Sequence, residues 1–306
     1  MIGIAHDPLS GAWKQALASV YCPKNGETNV DLQGKVVLVT GAGRGLGWGI
    51  ARAFGLAGAS VCITDINEAE LARAEADLVA DRSQVIARRL DVADRAAFRA
   101  AVAEVVREWG RLDVLVHNAI YMPLISFEET TPDEWQRQIQ VGLGGLYNGT
   151  RAVWDVLKSQ GGGHIMGVAS GSSLRGYRRE ITYCTIKHGQ EGFMKALALE
   201  AAPHRIAINS LGPGKPVKPT RITWAELDAL PPEVKAGWAD PAELGKGFVW
   251  LACQPPERFS GYRFDAGIIA DTISREGADF KFEPRKVTMY PEDFVSRQAW
   301  YASYQD

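Results

Sequence analysis

The chain has 306 residues, 46% of them hydrophobic and 23% charged, and 34 basic side chains against 36 acidic ones give a formal net charge of −2. A balance this close to neutrality supplies no global field to draw nucleic acid or an anionic membrane, so a charged partner must be met by a local patch. The length admits one large α/β domain as readily as two average ones.

Residues 1–33 precede the first strand-like run as an N-terminal extension, with neither the basic n-region nor the apolar run of a signal peptide. No window approaches the roughly 18 apolar residues of a membrane span. Cys22, Cys62, Cys184 and Cys253 lie far apart without zinc-ligand spacing, which argues against a metal site or a disulfide framework. A cytoplasmic protein is the simplest expectation.

From residue 34 short apolar runs alternate with Ala-rich amphipathic stretches. The runs are 35–40, 60–64, 84–90, 112–117, 164–170, 205–211 and 262–267, and helix-forming segments occupy 46–58, 67–80, 93–109, 132–158 and 183–202. Pro132 followed by Asp133 and Glu134 marks a helix start. Such alternation predicts a single doubly wound α/β domain over residues 34–270, a central parallel β-sheet covered by helices on both faces. Residues 271–306 form a C-terminal extension, in which Tyr290-Pro291 opens a predicted helix with Phe294, Tyr301 and Tyr304 at helical spacing. Packing onto the body or a neighbouring subunit is the expected use of those aromatics.

Directly after the first run comes TGAGRGLG, which comprises Thr40, Gly41, Ala42, Gly43, Arg44, Gly45, Leu46 and Gly47 and leads into a helix. Glycines there let the chain turn tightly and bring backbone N–H groups to a pyrophosphate at the helix N-terminus. Asp65, about 20 positions on at the end of the second run, suits the ribose hydroxyls of a dinucleotide and repels a 2′-phosphate. NAD is therefore the expected cofactor, with NADP the alternative that Arg44 would serve.

The T-G-x-x-x-G-x-G spacing resembles the short-chain dehydrogenase/reductase family. The likeness continues in order through Asp91-Val92, Asn118-Ala119, Ser170, Tyr183-Cys184-Thr185-Ile186-Lys187, Asn209, Pro213-Gly214 and Asp265-Ala266-Gly267. It implies a Rossmann-type fold in which Asp91 and Val92 flank the adenine, Asn118 and Ala119 line the cofactor cleft, and Pro213-Gly214 lies beside the nicotinamide. A homodimer or homotetramer is implied as well.

The chemistry also follows from the residues. Hydride transfer from a secondary alcohol needs a proton acceptor, and a free tyrosine with a pKa of about 10 is a poor one. Lys187 lies one helical turn beyond Tyr183, where its ammonium would lower the phenol's pKa and also reach the nicotinamide ribose. Ser170 would donate to the substrate oxygen. The expected function is hydride transfer between NAD and a secondary alcohol or ketone. An NADPH-dependent 3-oxoacyl-thioester reductase is the enzyme alternative, and a non-catalytic dinucleotide-binding protein the alternative of another class.

Several positions depart from the family pattern. Gly142 stands where the resemblance calls for a catalytic Asn, and its glycine is expected to keep the carbonyl and free room for a water. Asn148 points away from that position. Ile120 replaces a glycine and crowds the cleft, and Thr220 is a candidate contact to the cofactor amide in a proline-rich loop. Arg175, Arg178 and Arg179 before Tyr183, with Lys215, Lys218 and Arg221 after Gly214, form a basic bias in two segments expected to rim the site. An anionic substrate such as an acidic sugar or hydroxy acid is the corresponding expectation, with Arg175, Arg179 and Lys215 as its contacts.

Overall fold

Strand residues here alternate between two apolar layers, as a sheet covered on both faces requires. A computed structural model describes residues 32–277 and Phe280. The described strands are β1 (Val36–Thr40), β2 (Ser60–Asp65), β3 (Gln84–Arg89), β4 (Val114–His117), β5 (Gly163–Val168), β6 (Ile206–Gly212) and β7 (Arg263–Asp265). All pair in parallel in the order β3-β2-β1-β4-β5-β6-β7. The strand order reverses direction between β1 and β4, and it is outside the carboxyl ends of strands at such a switch point that α/β sheets place their clefts.

The helices are α1 (Gly45–Leu56), α2 (Glu68–Ala80), α3 (Arg95–Trp109), α4 (Pro132–Ile139), α5 (Gly145–Ser159), α6 (Ile181–Ala201), α7 (Trp224–Ala229), α8 (Pro232–Lys235), α9 (Pro241–Ala252) and α10 (Ala266–Glu276). Val37, Val39, Val61 and Ile63 pack under α1, α2, α9 and α10, while Val36, Leu38 and Cys62 face α3, α5 and α6. Phe54 and Phe248 on one side and Phe98 on the other are fully buried. Each contributes about 1.5–3 kcal/mol by leaving water.

The strands and the helices over 45–56, 68–80, 95–109 and 181–201 lie within two residues of their sequence expectations. The long helix expected over 132–158 is broken: a π-helical turn, Gln140–Gly144, separates α4 from α5. A Cβ at Gly142 would sit 2.5 Å from Ile186 Cγ2. Bare backbone therefore packs against α6 there, and the wider π turn accommodates it. Helices α7, α8, α9 and α10 carried no helical expectation. In α9 the run GFVWL is buried all round and gives no amphipathic period to read. Helix α10 crosses the boundary drawn at residue 270. The aromatics of the C-terminal extension beyond Phe280, and Cys22, lie outside the described residues. Among the described residues no helix is long and apolar enough to cross a membrane.

Candidate active site

At the end of β1 the chain turns through Gly41 with φ +63, and a Cβ there would meet Ala119 Cα at 2.7 Å. Only glycine lets these two backbones approach so closely. Asn118 closes the approach, with Nδ2 donating to Thr40 O at 3.1 Å and Gly41 O at 2.8 Å. Thr40 Oγ1 accepts from the amides of Asn118 and Ala119, both at 3.1 Å. Helix α2 is capped by Asn67 and α3 by Asp94, whereas α1 starts after Arg44 with no side-chain cap. Its first N–H groups are thus left without a side-chain acceptor at the positive end of the helix.

Around this turn the carboxylate of Asp65 accepts from Gly43 N and Asn67 N, each at 3.0 Å. Each oxygen keeps a further lone pair. Asp91 accepts from Ala93 N at 2.9 Å, and Asn148 Nδ2 donates to Val92 O at 3.0 Å and Ala93 O at 3.2 Å. Asn148 is thus a clamp on the 91–93 loop. The segment after Pro213 is strapped to the turn: Arg44 Nε donates to Thr220 O at 3.3 Å, and Trp224 Nε1 to Gly43 O at 2.8 Å. Trp48 meets Trp224 edge-on at 5.1 Å, and Arg73 covers Trp224 at 4.5 Å. Lys218 donates to Ile222 O at 2.5 Å, and burial, helped by Arg44, pushes its ammonium down to about 8.

At the other end Ser170 caps a short 3-10 turn (Gly171–Ser173), its Oγ accepting from Ser172 N at 3.1 Å. Its carbonyl accepts from Arg263 Nη2 at 2.9 Å, and Arg263 pairs with Glu191, which also accepts from Ser210 Oγ at 2.9 Å. Tyr183, on α6, is pushed up to about 12, chiefly by burial, with a hydrogen bond from Ser170 acting in the lowering direction. Lys187 Nζ donates to Val168 O at 2.6 Å and Gln190 Oε1 at 3.0 Å, and lies 5.6 Å from the Tyr183 ring centre. Burial pushes Lys187 down to about 8. Burial thus acts on the phenol against the lowering expected from Lys187, whose own hydrogen bonds go to Val168 and Gln190.

Both ends open into one cavity of about 460 Å³. Gly41, Arg44, Gly45, Leu46 and Asp65 line one part of it, Asp91, Val92, Asn118 and Ala119 another, and Ser170, Tyr183, Lys187 and Pro213 a third. Thr40, Gly47 and Gly214 are not in that wall; a Cβ at Gly47 would strike Gly41 O at 2.3 Å, which puts it against the back of the turn. Ile120 and Thr220 line the cavity as well.

The basic rim needs correcting. Arg175, Arg179 and Lys215 do not line the cavity. Arg175 donates to Tyr177 Oη at 2.7 Å, Arg179 to Leu124 O at 3.0 Å with Glu129 at 3.5 Å, and Lys215 is paired with Asp271 at 2.5 Å. Local partners hold them, as they commonly hold exposed cations. The cations in the wall are Arg44, Lys187, Lys218 and Arg137, the last stacked over Tyr121 at 4.2 Å. Sequence reasoning missed Arg137, whose one signal was its place on the helix leading to Gly142. It also missed Gln190, three residues past Lys187 and so on the same helix face.

The room expected beside Gly142 is taken too. Ile186 and Ile120 side chains approach to 2.5 and 3.1 Å of where a Cβ would be, and the Gly142 carbonyl accepts from Gln190 Nε2 at 3.0 Å and His117 Nε2 at 3.3 Å.

Comparison with known proteins bears on this arrangement directly. The family model "short chain dehydrogenase" matches residues 35–229. A trans-4-hydroxycyclohexanecarboxylate dehydrogenase of Sinomonas cyclohexanicum is 36% identical over 186 residues, covering 59% of this chain and 71% of that one. A 3-alpha-(or 20-beta)-hydroxysteroid dehydrogenase of Mycobacterium bovis is 35% identical over 241 residues, 78% of this chain and 91% of that one. Among solved structures, carveol dehydrogenase from Mycobacterium avium in complex with NAD superposes with a TM-score of 0.69 at 24% identity, over 78% of this chain and 99% of that chain, a likeness of fold. This chain belongs to the short-chain dehydrogenase family and is an NAD(P)-binding oxidoreductase of hydroxyl and keto groups.

Proposed function

We propose that the enzyme moves hydride between NAD and a secondary alcohol or ketone, with Tyr183 exchanging the proton, Lys187 supplying positive charge and Ser170 holding the substrate oxygen. The observation that carries this reading is one cavity walled by the glycine turn at one end and by Ser170, Tyr183 and Lys187 at the other.

The residues present fit a dinucleotide. Uncapped α1 offers its N–H groups to a pyrophosphate, and Asp65, fixed by Gly43 and Asn67, keeps lone pairs for two ribose hydroxyls. Its charge opposes a 2′-phosphate and favours NAD. Arg44 is already engaged by Thr220 O and Glu70, which weakens its case as a phosphate ligand. When bound, the nicotinamide ring takes up or gives the hydride.

The chain's own groups manage the proton. With its pKa pushed up to about 12, Tyr183 Oη is protonated at neutral pH and is ready to give its proton to a ketone oxygen as that oxygen becomes an alkoxide. In the reverse direction the Lys187 ammonium, one turn along α6, offsets the charge of the phenolate that receives the proton. Ser170, pinned through its hydroxyl and its carbonyl, donates to the same oxygen and fixes it near Tyr183.

For the substrate, the anionic reading passes from the rim to Arg137. This guanidinium, at the cavity wall, has no acidic partner among the described residues, and its stacking on Tyr121 leaves its N–H fork free for a carboxylate. The relative acting on a hydroxycyclohexanecarboxylate accords with that choice. A cytoplasmic homodimer or homotetramer completes the proposal.

The test is a panel of hydroxy acids, acidic sugars, neutral polyols and steroid alcohols, assayed with NAD and NADP on wild type, Tyr183→Phe and Arg137→Leu. Tyr183→Phe is expected to bind NADH unchanged and to lose turnover by about 10²-fold or more. Arg137→Leu is expected to raise KM for anionic substrates only. Turnover surviving Tyr183→Phe would refute the assignment of the proton donor, and a preference for NADPH would refute that of the cofactor.

A further inference from the structure

Gly142 occupies the position that an Asn takes in the family pattern, and Ile186 and Ile120 fill the volume an Asn side chain would need. Its carbonyl nonetheless remains tied to the catalytic lysine. Lys187 Nζ donates to Gln190 Oε1 at 3.0 Å, and Gln190 Nε2 donates to Gly142 O at 3.0 Å. All three residues are buried. His117 Nε2 sits 3.3 Å from the same carbonyl, and its Nδ1 faces Thr40 Oγ1 at 3.5 Å, which links the bridge to the base of the glycine turn.

We propose that Gln190 is a positioning residue for Lys187, joining the ammonium to the Gly142 carbonyl by a direct side-chain bridge in place of the Asn-centred arrangement of the family. The proposal rests on the reading of Lys187 as the residue that supports Tyr183. Both partners of Gln190 are fixed, one on the same helix and one at the π turn, so the amide can bond them only in one orientation. An amide keeps its protons at neutral pH. The bridge therefore holds the lysine's position and charge without carrying its proton inward, and His117, pushed down to about 3 by burial, stays neutral beside it.

The charged and titratable groups facing Lys187 are Tyr183 and Glu191 on α6, Arg263 on β7 and His117 on β4. Glu191 favours the ammonium and Arg263 opposes it. Gln190 Oε1 adds an acceptor for the charged form. Its removal and its replacement by an anion must act in opposite directions.

The experiment follows NADH binding to the intact chain by fluorescence from neutral to alkaline pH, with melting temperature as the check on folding. Wild-type affinity is expected to fall as Lys187 loses its charge through about 8. Gln190→Met, close in size but without the acceptor, moves that limb down by about one pH unit, a roughly tenfold loss of affinity at alkaline pH. Gln190→Glu moves it up. Opposite shifts support the bridge; a limb that stays in place in both variants overturns it. Should the Met variant not fold, the Glu variant decides by the same criterion. Failure of the wider reading shows separately, as turnover that survives Tyr183→Phe.

Discussion

At the glycine turn, backbone meets backbone with short polar side chains as ties: Asn118 onto Thr40 and Gly41, Asp65 onto Gly43, Asn148 onto the 91–93 loop. Beneath Tyr183, charged and amide side chains from β4, β7 and α6 meet out of water: Lys187 with Gln190, Arg263 with Glu191, and His117 against the π turn. The first region presents N–H groups and a carboxylate to a ligand and is built from turn chemistry. The second holds charge in place by mutual satisfaction, and there the loss of one partner strands another.

The largest expected effect follows from that difference. Arg263→Leu leaves Glu191 buried with its ion-pair partner gone and frees the Ser170 carbonyl, at a cost of about 3–5 kcal/mol in urea unfolding. A loss below about 1 kcal/mol would mean that the second region is no more interdependent than the first. Acidification reaches the same region through His117 and the opposite end of the sheet through His164. His117 and His164 are pushed down by burial to about 3 and about 4, from an ordinary 6.5. The unfolded chain takes up these protons as pH falls through 6.5, and the folded chain does not. Their contribution is therefore intact above that value and declines below it, by about 4 kcal/mol for the pair at about pH 5. Chemical denaturation at the two pH values, repeated with a His164→Gln variant, measures it.

Smaller effects sharpen the contrast. Gly142→Ala pushes a methyl into Ile186 and Ile120 and is expected to cost about 1–3 kcal/mol as α6 is displaced, with a lower melting temperature as the readout. Lys215→Ala removes an ion pair between half-exposed side chains and is expected to change stability by less than about 1 kcal/mol. Its KM for any substrate should be that of wild type, because Lys215 lies outside the cavity wall.

How much could be read in advance divides along the same line. Thr40 to Gly47, Asp65, Ser170 and the Tyr183–Lys187 turn are legible because their roles depend on short spacing beside a strand end or on one helix face. The bridge from Lys187 through Gln190 to Gly142 and His117 joins positions far apart in sequence, and Gln190 only reads as a polar residue on an otherwise ordinary helix. Gly142 gives no sign of the π turn in sequence, since the neighbour that packs against it, Ile186, belongs to α6. Of the basic rim, Lys215 and Arg179 misled for the same reason: Lys215 finds Asp271, and Arg179 finds Glu129 and Leu124, partners that only the tertiary fold brings near.

The stretch that leaves β6 at Pro213 beside Ser170 and ends with Trp224 on Gly43 touches both mouths of one cleft. Its prolines stiffen it, Lys218 ties it internally to Pro219 O and Ile222 O, and Arg44 and Trp224 fasten it to the glycine turn by hydrogen bonds and ring contacts. One segment of chain thus takes part in both ends of the cleft, and a substitution within it can bear on either.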